Sequence, residues 1–235
     1  VRILILYDNV AQPPLREGWG FSALTEILDR KILFDVGADR LVLEHNVHAL
    51  GVDLSKITDV FLSHLHCDHV GGLSYVLEKA RGIRVFAPAG MEGYLRPRLK
   101  ATKAELITVR GPRELGEGLW STGTMGRRVK EHGLVIATKQ GSMLVTGCAH
   151  PGVVDMVSKA KEIAGDGIHL VVGGFHMSGM SQTQIQKVIR AFQKLGVERV
   201  APCHCSGDLT RQLFADAQGE NFIAAGVGTV VENAE

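Results

Sequence analysis

What this 235-residue chain lacks narrows its function before any motif is found. No charge of one sign dominates: 26 basic against 25 acidic residues leave a formal net charge of +1. The sequence therefore carries no electrostatic footprint for a nucleic acid or a membrane surface, and a small-molecule substrate is expected instead. Long apolar runs are missing at the start. The opening VRILILY holds six apolar residues around one arginine before Asp8, too few for a spanning helix or the apolar region of a secretory leader. A cytoplasmic location is expected, and the first residue, Val1 rather than Met, leaves room for a further segment before it. Cysteines are few and wrongly spaced for a disulfide framework. Of Cys67, Cys148, Cys203 and Cys205, the last two are separated by one residue, which suits reduced thiols in a reducing compartment. Repeats, low-complexity tracts and charged tails are missing too, so residues 1–235 are expected to form one domain.

What is present alternates. Short β-branched and apolar runs predict strands at Arg2–Tyr7, Phe21–Leu28, Lys31–Val36, Asp59–Ser63, Arg84–Ala87, Glu105–Val109, Leu134–Thr138, Ser142–Thr146, His169–Val172, Arg199–Ala201, Thr229–Glu232 and near Asn221–Ala224. Apolar residues recurring at three and four predict helices at Asp39–Leu50, His69–Ala80, Gly90–Leu99, Gly152–Ile163, Ser181–Leu195 and Asp208–Ala217. Hairpin-length turns link the early strands, while helices separate the later ones. The expected fold class is α/β (α+β), with two mixed β-sheets and helices outside them. The proline- and glycine-rich segment Asp8–Gly20 reads as a loop over an active-site mouth, with Trp19 a candidate to stack on a flat substrate ring.

The densest chemistry lies in FLSHLHCDHVGG, Phe61–Gly72. His64 and His66 are two apart, so an extended backbone points both to one side. Asp68 is expected as the N-cap of the following helix, with His69 in its first turn. Gly71 and Gly72 leave room for close backbone approach. Three imidazoles and a carboxylate suit zinc or iron, but one tetrahedral ion bound by all four would keep no open position, so two ions are expected. Further ligands could come from His150 in MLVTGCAHPG, His176 in HLVVGGFHMSG and His204 in RVAPCHCSG, each just after an apolar run. If those runs are neighbouring strands, their C-terminal ends bring all three to one sheet edge. His45, His48, His132 and His169 lack such a setting and read as structural or surface residues.

His64, His66, Asp68 and His69 form H-x-H-x-D-H, which resembles the signature of the metallo-β-lactamase superfamily; ILFDVG at Ile32–Gly37 is similar to the strand and turn that precede it there. TGCAHPG, GGFHM and PCHCSG together resemble one branch, the metal-dependent hydrolases akin to dihydropterin-ribofuranosylaminobenzene phosphate synthase. The resemblance implies an αββα sandwich and a dinuclear centre, with His64 and His66 on one ion, Asp68, His69 and His204 on the other, and Asp35 supporting them. Two departures accompany it: no counterpart of the mid-chain histidine segment is found around Leu119–Gly126, and Cys148 follows Gly147 where the bridging aspartate usually stands. His150 is the candidate for the missing ligand, and Cys148 remains an alternative as a thiolate.

The expected cofactors are two divalent ions, zinc first, with iron or manganese as alternatives. They would hold a hydroxide nucleophile at neutral pH and polarise a carbonyl or phosphoryl oxygen. Asp68 would bind metal and orient the hydroxide, and His176, if not a ligand, would serve as proton donor. Hydrolysis of an ester, lactone or phosphoester of a small, phosphorylated or pterin-like molecule is the leading expectation. A diiron protein handling oxygen, or a non-catalytic metal-dependent ligand-binding protein, are the alternatives.

Overall fold

The computed structural model of the chain describes residues 1–165 and 167–232. It divides into two compact units, each built on its own sheet: Val1–Arg110 with residues 226–232, and Gly111–Ala225. In chain order the strands of the first are β1 (Arg2–Tyr7), β2 (Ser22–Ile27), β3 (Arg30–Phe34), β4 (Asp59–Phe61), β5 (Arg84–Pro88) and β6 (Glu105–Val109). Those of the second are β7 (Arg113–Gly116), β8 (Leu119–Ser121), β9 (Leu134–Ile136), β10 (Ser142–Thr146), β11 (Ile168–Gly174) and β12 (Arg199–Cys203), and β13 (Val230–Glu232) returns to the first.

In the first unit the order is β13-β1-β2-β3-β4-β5-β6. The short connection at Leu28–Asp29 forces β2 and β3 antiparallel, whereas β3, β4, β5 and β6 run parallel. Parallel neighbours need a crossover, supplied by α1 (Arg40–Ala49), α2 (Cys67–Val70) with α3 (Leu73–Lys79), and α4 (Glu92–Leu99). Alternation selects the helix-facing side: Leu4 and Leu6, Val60 and Leu62, Val85 and Ala87 join Leu43, Val47, Val76 and Leu95 in one buried cluster. The intervening Ile3, Ile5, Phe34 and Phe61 are buried as well, so these strands are apolar on both faces.

In the second unit the order is β12-β11-β10-β9-β8-β7. Strands β7 to β10 are antiparallel, and β10, β11 and β12 are parallel. Helices α5 (Val153–Ala164), α6 (Gln182–Leu195) and α7 (Asp208–Gln218) complete it. The apolar stripe of α6 meets the sheet through Ile185, Ile189 and Phe192, packed with Val171, Val200 and Phe214. Two mixed sheets flanked by helices are thus the architecture, as the alternation of patterns predicts.

Three local expectations fail for identifiable reasons. Strands β7 and β8 escape the pattern because each has only three or four residues, and β7 is largely exposed. The strand expected near Asn221–Ala224 is a turn at Gly219–Asn221 followed by one bridge between Phe222 and Val200. The helix expected over His69–Ala80 is two helices broken at Gly71–Gly72, and Asp68 is not its N-cap. His66 takes that place with extended backbone, φ −117° and ψ 150°, and its carbonyl receives the amides of His69 and Val70. Among the described residues no helix is long and apolar enough to cross a membrane.

Candidate metal centre

In the first unit the histidine motif leaves the C-terminal end of β4, beside the parallel end of β3, where Phe34 and Phe61 are in register. One residue past β3 stands Asp35, fully buried, and the amide of Asp35 donates to Phe61 O at 2.8 Å. Its carboxylate organises the neighbours. Oδ1 accepts from the Ser63 amide at 2.7 Å, and Oδ2 accepts from Ser63 Oγ at 2.6 Å and lies 2.7 Å from His69 Nδ1.

The proton inventory of this network fixes two imidazoles. Ser63 Oγ has one proton and gives it to Asp35, so His64 Nδ1, 2.9 Å away, must donate to the hydroxyl. His69 Nδ1 likewise donates to the Asp35 carboxylate. In their neutral forms both rings therefore have unprotonated Nε2 atoms, the state a metal requires, and the partner on the far nitrogen fixes each orientation. His64 Nε2 lies 3.1 Å from His66 Nδ1. That is near the edge of about 3.3 Å spanned by two ligands of one tetrahedral ion with metal–nitrogen bonds of about 2.0–2.1 Å. The His64 and His69 ring centroids are 4.2 Å apart, and Asp68 Oδ2 lies 3.6 Å from His69 Nε2. This donor set fits a divalent ion.

Two glycines allow the motif to turn back so tightly. A Cβ at Gly71 would sit 1.9 Å from Ala38 O, and one at Gly72 would sit 2.2 Å from Val36 O. The other end of β4 is different in kind: buried Asp59 receives Arg30 Nη2 at 2.7 Å and Arg84 Nε at 2.6 Å, a closed ion cluster. The loop at residues 8–20 has no helix or strand, as expected. Its end reaches the motif through the Phe21 amide, which donates to Asp68 O at 3.2 Å. Trp19, two residues earlier, is 60% exposed.

In the second unit the three later histidine segments do leave adjacent parallel strands: Thr146 of β10 pairs with Gly173 of β11, and Gly174 with Cys203 of β12. His150, His176 and His204 follow those three C-terminal ends. The rings of His150 and His176 have centroids 4.3 Å apart. His204 is buried in the turn His204–Ser206. The ligand atoms of Cys148, His176 and Cys205 lie within 4.8 Å of one another. Cys205 Sγ also lies 3.6 Å from Cys148 O. A hydrogen bond with the Cys148 side chain, together with that of His176, pulls the Cys205 thiol down to about 4 against the opposing effect of burial. The same contact with Cys205 raises His176 above its ordinary value.

Glu131, which the sequence reading passed over, holds this second edge. Fully buried, its Oε1 accepts from the amides of Cys148 at 2.9 Å and Ala149 at 2.8 Å, and Oε2 accepts from His150 at 2.8 Å. Nothing around KEHGL advertises that role; only the fold brings residue 131 under residues 148–150. Ser63 and Cys205 were passed over too, although each adjoins a candidate histidine. Backbone strain marks the same places: of the five non-glycine residues with positive φ among the described residues, Asp35, Ala149, His176 and His204 are four. Such conformations cost on the order of 1–3 kcal/mol each and gather where function requires a fixed geometry.

A family model described as a β-lactamase superfamily domain matches residues 30–205. The 7,8-dihydropterin-6-methyl-4-(β-D-ribofuranosyl)-aminobenzene-5'-phosphate synthase of Methanocaldococcus jannaschii is 27% identical, the alignment covering 99% of this chain and 96% of that protein. A crystal structure described as a metal-dependent hydrolase of the β-lactamase superfamily superposes with a TM-score of 0.83 at 28% identity, covering 100% of this chain and 99% of the other. The short form of human tRNase Z, at 16% identity and a TM-score of 0.68 with 99% of both chains covered, shares the fold.

Proposed function

The chain belongs to the β-lactamase superfamily, and on that premise we propose that it is a metal-dependent hydrolase. For two divalent ions, His64, His66, Asp68 and His69 are the candidate ligands of the first unit, and His150 and His204 those of the second. Imidazole and carboxylate donors suit zinc first, with manganese or iron as alternatives. Cys148 is the further candidate ligand. The observation that carries this reading is the pair of Nδ1 contacts, His64 on Ser63 and His69 on Asp35, because a buried network that occupies both Nδ1 atoms and turns two Nε2 atoms to one strand end is built to receive a cation.

When bound, such ions supply an activated water and a Lewis acid for the substrate oxygen. The chain's own residues do the remainder. Asp35 and Ser63 hold the imidazoles in their binding tautomer. Asp68 orients the attacking water, and His176, exposed beside His150, gives a proton to the leaving group. Trp19 offers a stacking face for a flat substrate.

The substrate we propose is a small molecule containing an ester, lactone or phosphoester bond. Similarity to the Methanocaldococcus jannaschii synthase supports a phosphorylated or pterin-like compound. A near-neutral chain speaks against nucleic acid or membrane as partner, and four cysteines that form no disulfide with one another support the cytoplasm as the compartment. The test is turnover of phosphomonoester, phosphodiester and lactone substrates before and after chelation. The reading expects hydrolysis of at least one class, lost on chelation and restored by zinc or manganese; hydrolysis indifferent to the chelator would refute it.

A further inference from the structure

The second unit contains a pocket of about 210 Å³ that the proposed hydrolysis leaves without a role. Val153 and Val154 on α5, Phe175 and Met177 after β11, Met180 just before α6 and Val188 in its middle supply its apolar lining. His150 and His176 line it as well, and so does Asp155, exposed in the first turn of α5. The volume is below the roughly 300–1,000 Å³ of a pocket that encloses a whole drug-sized ligand, so it suits one substituent of a larger molecule.

We propose that this pocket is an apolar specificity subsite: it receives an uncharged ring-sized or branched hydrocarbon group attached close to the carboxyl or phosphoryl group that His150 and His176 face. The assignment names the substrate class of the proposed hydrolase and rests on that reading. Three features select this occupant. Away from the two imidazoles and Asp155, the lining side chains are hydrocarbon and thioether rather than hydrogen-bond donors. Phe175 forms a fixed wall, because its ring packs at 5.7 Å from Phe192 and 5.6 Å from Phe214. Met177 is buried in the same core cluster, whereas Met180 is only partly buried, and its unbranched, polarisable thioether can close over a flat face. Asp155 on the rim disfavours an anionic group inside, so the anionic end of a product belongs beside the two imidazoles.

The experiment uses metal-loaded full-length protein labelled with carbon-13 at the methionine methyls. It is titrated with phenylacetate, a product-like anion with an uncharged ring, and separately with acetate. The chain has six methionines, and Met177 and Met180 are assigned by Met177→Leu and Met180→Leu. Phenylacetate is expected to shift both methyls saturably while Met91 and Met143 stay in place, and acetate at equal concentration is expected to shift neither. Val188→Trp, which fills the pocket, should weaken phenylacetate at least tenfold, with unchanged Met91 and Met143 signals as the check on folding. Wild-type methyls that ignore phenylacetate, or that respond equally to acetate, would overturn the subsite, as would unaltered affinity in a folded Val188→Trp protein. The titration reads binding alone. A protein that shows the expected shifts yet hydrolyses nothing keeps the pocket and removes the hydrolase reading.

Discussion

The two units offer metal-capable side chains in opposite ways. In the first, four candidates lie within six consecutive residues, His64–His69, and a buried carboxylate, Asp35, holds one ring directly and another through Ser63. In the second, His150, His176 and His204 come from three separate strand ends, and the buried carboxylate, Glu131, holds backbone amides instead of rings. A contiguous motif can be oriented by side-chain hydrogen bonds because its geometry is local. Candidates gathered from distant loops need their loops fixed first, and a carboxylate under three amides does that. Asp35 should therefore act on metal affinity, and Glu131 on the stability of the fold around its loop.

The largest effect expected is at Asp68. Asp68→Ala removes a candidate ligand and the group proposed to orient water but little core volume, so hydrolysis should fall by about a thousandfold or more with thermal unfolding nearly unchanged. Wild-type turnover in that variant would break the account of the first unit. Next is Glu131→Gln. It sets an amide nitrogen against at least one backbone N–H, leaving buried donors unsatisfied, and should cost about 1–3 kcal/mol, read as a lower denaturation midpoint. A variant as stable as the wild type would erase the contrast. Asp35→Asn should instead weaken metal binding about 10- to 100-fold, measured by competition with a chromogenic chelator. If its metal affinity were untouched while Glu131→Gln lost metal outright, the assignment of the two carboxylates would be reversed.

The smallest effect concerns Tyr7, whose hydroxyl accepts from the Asp39 amide at 3.2 Å. Burial raises this phenol above its ordinary value of 10.0. A raised folded-state pKa means that stability is intact below pH 10 and declines as pH rises through the folded value. Tyr7→Phe should flatten that alkaline decline in a denaturation series from pH 9 to 11, and an equally steep decline in the variant would assign it to another group.

Legibility in the sequence followed locality. The H-x-H-x-D-H run could be read because strand periodicity and chain spacing place those residues without knowledge of the rest, whereas Asp35 was named only through the resemblance of ILFDVG, inside a strand expected to run to Val36 that ends at Phe34. That His150, His176 and His204 share a sheet edge could be stated only conditionally, since it depends on β10, β11 and β12 being neighbours, a fact of topology. Glu131 was invisible because its partners are 17 to 19 residues away and are backbone amides of any residue type. The N-cap was misplaced at Asp68 because a capping residue type stood at the right distance, whereas the backbone turns two residues earlier at His66. Strands β7 and β8 were missed because three or four residues with one exposed side show no usable alternation.

The central claim, that these histidines and carboxylates form a metal centre, is tested most directly by metal analysis of anaerobically purified protein, reported as ions per chain. Near two equivalents of zinc, manganese or iron, reduced in Asp68→Ala, is the predicted result. A properly folded protein that binds no divalent ion even when supplied with one would contradict it.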